Sequence, residues 1–103
     1  MDLNHCYDNV ESVQMFLRKA RECLPFLVYL AIENAYSERD KMFKVVALTH
    51  IKNYFLKAKV APETIRELIS LLDSFRDPYQ EFLEKRANCT WSETKEHILG
   101  GLL

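Results

Sequence analysis

The sequence predicts an all-α fold: a single-domain, irregular bundle of five to six helices built around a central helix at about 41–60. Three observations predict it. Apolar residues recur three and four apart along most of the chain, which is the period of a helix face. No stretch alternates apolar and polar residues with period two, as a half-buried strand would. Turn-forming residues are scarce: there are 2 glycines, Gly100 and Gly101, and 3 prolines, too few for a turn-rich β architecture. A chain of 103 residues implies one domain, 1–103. Its ends are expected to be a loose lead-in at 1–7 and a tail at 100–103. A chain of this size buries roughly 65% of its unfolded surface, enough for one core without staples.

The first helix is expected at 10–24, capped by Asp8 or Asn9, with Val10, Val13, Phe16, Leu17, Ala20 and Leu24 on its apolar face. Pro25 ends it or starts the next helix at its first position. Residues 26–36 are the most apolar segment, and periodicity alone does not separate a buried helix from a buried strand. A lone strand would have no partner, so a helix is expected. Glu33 falls within it; inside a core it must be paired or protonated, and otherwise it marks the exposed end.

The central stretch carries Phe43, Ala47, Ile51, Tyr54 and Ala58 on one face, Val45, Leu48 and Leu56 beside them, and Met42 and Val46 on a third strip. A helix apolar on more than one side contacts neighbours on more than one side. Ser37 and Asp40 have the spacing of a capping box before it. Pro62 opens a fourth helix with a single stripe, Ile65, Leu68, Ile69, Leu72 and Phe75. Asp77-Pro78 starts a short fifth helix over 78–87, with Tyr79, Phe82, Leu83 and Ala87 on its face and the Glu81–Lys85 pair in support. Thr90 and Glu93 form a second capping box, opening a last helix that runs to Leu99 before Gly100-Gly101.

Composition excludes some functions. With 49% hydrophobic and 28% charged residues the chain is not disordered. The formal net charge of −1 gives no overall pull toward nucleic acid. The longest apolar run, 25–32, is far short of a membrane span, and the polar start lacks an export signal. The Asn88-Cys89-Thr90 glycosylation pattern is therefore expected to be idle. Three unpatterned cysteines, Cys6, Cys23 and Cys89, point to free thiols in a reducing compartment, so a cytoplasmic location is expected.

Little in the chain points to catalysis. Glycine-rich phosphate loops and nucleophile elbows need glycines that are absent. His5, His50 and His97 have no Cys or His partner at metal-ligand spacing. Glu93 and His97 share a helix face, an arrangement far commoner as a surface ion pair than as a metal site. His50 lies in mid-helix with Lys52 close by, which resembles the histidine phosphotransfer domains, helical bundles of this size with a phospho-accepting histidine on a helix. Their pattern places Lys three residues on and then a small residue; here Lys52 is two on, and Asn53 and Tyr54 follow. The resemblance covers one short stretch and implies phosphate acceptance at His50. In helix count alone the chain is also similar to the death-domain class, without a residue motif.

Two binding surfaces remain. Arg39, Lys41, Lys44, Lys52 and Lys59 lie near one line and could track phosphates of a nucleic acid. Trp91, Ile98, Leu99, Leu102 and Leu103 give the last segment more apolar surface than a two-turn helix buries, unless the tail folds back to close the core. The function expected is a non-enzymatic protein–protein interaction module, a small regulatory, adaptor, inhibitor, immunity-type or chaperone-like protein that binds a partner or itself as a homodimer. A nucleic-acid-associated regulator using the lysine line is the alternative, and His50 phosphotransfer the second. No cofactor, metal, membrane or small-molecule substrate is expected.

Overall fold

The computed structural model describes residues 10–58 and 60–101. Within them the chain forms six α-helices and no strand: α1 (Val10–Cys23), α2 (Phe26–Ser37), α3 (Phe43–Lys57), α4 (Pro62–Asp73), α5 (Pro78–Phe82) and α6 (Trp91–Leu99), with a π-helical turn at Leu83–Ala87 after α5. The expected lead-in at 1–7 lies outside the described residues.

The predicted stripes become the core. Val13, Phe16, Leu17, Ala20 and Leu24 are buried in and just after α1, and all five apolar residues of the fourth stripe, Ile65 to Phe75, are buried. Helix α3 packs against α2, α4 and α6, as a helix apolar on several sides must, while α1 rests on α2 and α4. The elements meet at an aromatic hub. Phe43 of α3 lies 6.1 Å from Phe16 of α1 (edge-on), 6.0 Å from Phe75 (stacked) and 5.6 Å from Tyr36 of α2, between ring centroids. Such pairs add stabilisation beyond area burial, about 0.5–1.5 kcal/mol each.

The central helix is shorter than 41–60. Helix α2 continues through Ser37, so Ser37 does not cap α3. The chain then turns through Arg39 at φ 56, and the Asp40 carboxylate accepts from the Met42 N–H at 2.8 Å, a local turn that delays α3 to Phe43. At the other end Ala58 is extended, so α3 stops at Lys57, well before Pro62. The fifth helix is also not one regular segment. After Phe82 it widens into the π turn, which ends on Asn88 at φ 54. The expected face is not buried as a whole: Leu83 is buried, whereas its neighbour Phe82 is 51% exposed.

Other local signals hold. Thr90 accepts from the Glu93 N–H and Glu93 reaches back to the Thr90 N–H, each at 3.1 Å, so the second capping box is complete. Glu81 and Lys85 pair at 2.8 Å. Glu33 is half-buried and paired, its Oε2 accepting from the Tyr29 hydroxyl at 2.6 Å.

Candidate functional site

The most unusual chemistry lies where α3 begins. Lys44, in the first turn, is only 1% exposed. It shares the strip of Ala47, Leu48 and Ile51, three, four and seven residues on, and so is carried into the core. Its Nζ donates to the Phe75 carbonyl at 2.5 Å and to Gln80 Oε1 at 2.7 Å. The same ammonium sits 4.3 Å from the centre of the Trp91 ring and 5.4 Å from that of Phe75, a cation–π seat. The site gathers α3, the 74–77 connection, α5 and α6 around one positive charge.

Asp77 completes it, 4% exposed. Its Oδ2 accepts from the Lys44 backbone N–H and its Oδ1 from the Gln80 N–H, both at 2.8 Å. Both N–H groups lie in first turns, where no intrahelical partner exists. One carboxylate therefore caps two helices, α3 and α5, and its charge suits both dipoles. The Lys41 carbonyl accepts from the Tyr79 N–H at 3.0 Å, fixing the start of α5 beside the start of α3. No buried side-chain N or O among the described residues lacks a partner.

Burial acts against both charges. It pushes the Lys44 ammonium down to about 8, against the opposing pull of nearby Asp77 and Asp73. It pushes the Asp77 carboxyl up, against the N–H groups of Lys44 and Gln80 that it accepts. Burying two charges costs desolvation that their mutual attraction need not repay, so the pair is weak evidence for stability. The Lys44 shift has a testable sign. The folded value lies below the ordinary 10.5, so above pH 8 the unfolded chain holds more protons and stability rises with pH. Between about pH 7 and 9.5 the contribution of Lys44 to unfolding free energy is expected to grow by up to about 2 kcal/mol. Chemical denaturation at both pH values should show that gain relative to Lys44→Met, in which this titration is absent.

What the network holds in place is an exposed apolar ledge. Tyr79 and Phe82 stack at 5.9 Å, with their rings 15° apart. With Met42, 38% exposed, and Pro78 they line a groove of about 610 Å3, edged by Asp40 and Lys41. The adjoining π turn is a further departure from regular helix, and such turns are frequent at functional sites.

The residues singled out from the sequence fall differently. Trp91 is buried, its indole N–H donating to Asp73 at 2.6 Å, and Ile98 and Leu99 are half-buried against the core. The described part of the last segment thus closes the bundle, with buried Lys44 under the Trp91 ring and exposed Asp73 accepting from its indole N–H. Leu102, Leu103 and Lys59 lie outside the described residues. In the proposed basic line, Arg39 and Lys41 are exposed and Lys52 is half-buried, but Lys44 turns inward and offers no ammonium to a phosphate. His50 is half-buried on α3, and Glu93 is held back in its capping box, away from a role beside His97. Tyr79, Phe82 and Met42 were missed as a site. Tyr79 and Phe82 belong to the expected face of the fifth helix with Leu83 and Ala87, and of these four only Leu83 is buried.

Among the described residues no helix is long and apolar enough to cross a membrane, and no three of His, Cys, Asp and Glu gather as a metal site. Compared with protein-family models, curated proteins and solved structures, the chain matches none.

Proposed function

We propose that the protein is a non-enzymatic protein-binding module whose docking surface is the Met42–Tyr79–Phe82 ledge, and that the first occupant of that surface is a second copy of itself. The observation that carries this reading is the stacked pair of half-buried Tyr79 and exposed Phe82 on a helix whose start is pinned to α3 by buried polar groups. Aromatic residues held rigid before binding lose little freedom on docking, which is what interface anchors require. The other exposed apolar pair, Phe26 and Leu27, opens α2 after Pro25 without a side-chain cap or a comparable set of cross-links. A net charge of −1 adds almost no long-range repulsion between copies, and the ledge is edged by one acid and one base. This reading moves the expected interface from the Trp91 tail to α5.

The test is light scattering after size exclusion, across a concentration series. The wild-type mass should rise from 12.2 kDa toward twice that value. Phe82→Glu, which places a charge on an already exposed position, should weaken association at least tenfold, equivalent to about 1.4 kcal/mol, with unchanged helicity. A wild-type chain that stays monomeric at millimolar concentration contradicts self-association. A variant that associates like the wild type removes the ledge.

A further inference from the structure

A second concavity lies between α1 and α2, away from the Lys44 site. It has a volume of about 530 Å3, and Arg18 and Arg21 of α1 and Tyr29, Glu33 and Tyr36 of α2 are among its lining residues. The size suits a small metabolite. The two guanidiniums stand three residues apart on one helix, and neither carries an ion pair or hydrogen bond among the described residues. Two unpaired guanidinium forks in one groove match a phosphate, which accepts from both. Glu33 alters the requirement. One of its oxygens is used by Tyr29 and the other carries no hydrogen bond among the described residues. A bare phosphate beside that carboxylate would be repelled, so the ligand must also present hydroxyl or amine donors to it. A carboxylate facing a pair of sugar hydroxyls is a common solution to that need. Tyr29 is only 8% exposed, which leaves half-buried Tyr36 as the aromatic side chain on the lining with surface for a base.

We propose that this groove binds a nucleoside monophosphate, with the phosphate on Arg18 and Arg21, the ribose hydroxyls on Glu33, and the base against Tyr36. The site is independent of the ledge. Its test is titration of the uniformly 15N-labelled full chain with AMP, adenosine and inorganic phosphate, followed by NMR. AMP should saturate, shifting the Arg18 and Arg21 side-chain Nε signals and the amides around Glu33. Adenosine and phosphate should each bind at least about tenfold more weakly, since each keeps only part of the contacts. Arg18→Gln/Arg21→Gln should weaken AMP binding by a similar factor, with a native amide spectrum and unaltered light-scattering behaviour. The absence of saturation by AMP at about 10 mM, phosphate binding as tightly as AMP, or an unaffected double variant would each overturn the proposal.

Discussion

Replacing Trp91 with alanine should lower the unfolding free energy by about 3–5 kcal/mol. The substitution removes a large buried side chain from the junction of α6 with the core. It also removes the ring over which the Lys44 ammonium sits and the indole N–H that Asp73 accepts, leaving a buried charge less well surrounded. For a domain of this size the thermal midpoint should fall by more than about 10 °C. Trp91→Phe keeps much of the apolar volume and a weaker cation–π face, and should lose less than half as much. Thermal unfolding monitored by circular dichroism checks both. A Trp91→Ala protein within about 1 kcal/mol of wild type would mean that α6 is not part of the folding unit.

Asp77→Ala should cost about 2–4 kcal/mol, more than a single helix cap, because two caps are lost together at about 1–2 kcal/mol each. The Lys44 and Gln80 N–H groups lose their acceptor in a buried setting, and the Lys44 ammonium loses its main counter-charge. Asp77→Asn keeps one acceptor oxygen for one helix start and should fall between the two. The variant also separates this account from a simpler one. If Asp77 only caps α5, its loss should leave amide exchange at the start of α3 unchanged. If it caps both helices, exchange should quicken at Lys44 and at Gln80 together.

Much of the fold was legible because it is local. The 3.6-residue period placed α1, α3 and α4, the lack of a strand partner made α2 a helix, Pro62 and Pro78 marked starts, and Thr90 with Glu93 announced a capping box that forms in full. The misreadings have specific causes. Ser37 and Asp40 have capping-box spacing, but α2 reaches Ser37 first, and Asp40 closes a turn with Met42 instead. Residues 78–87 read as one regular helix because nothing in the sequence marks the π turn at Leu83–Ala87, and the apolar spacing did not show that Phe82 faces outward beside buried Leu83. Lys44 was placed on the phosphate-tracking line by residue type. Its spacing to Ala47, Leu48 and Ile51 held the opposite signal, and what makes burial tolerable lies 31 to 47 residues away, in Phe75, Gln80 and Trp91. Asp77 was legible as the cap of α5, a local role, but not as the cap of α3, a long-range one. The same distance dependence hid the ledge, which combines Met42 with Tyr79 and Phe82.

The proposal that Met42, Tyr79 and Phe82 form the docking surface is tested most directly by a dilution series of the 15N-labelled protein followed by NMR. The shifts that change with concentration should cluster at residues 40–42 and 78–82, be absent in Phe82→Glu, and spare the Arg18–Arg21 groove. Changes centred on Phe26 and Leu27 or on α6, or no concentration dependence at all, would contradict it.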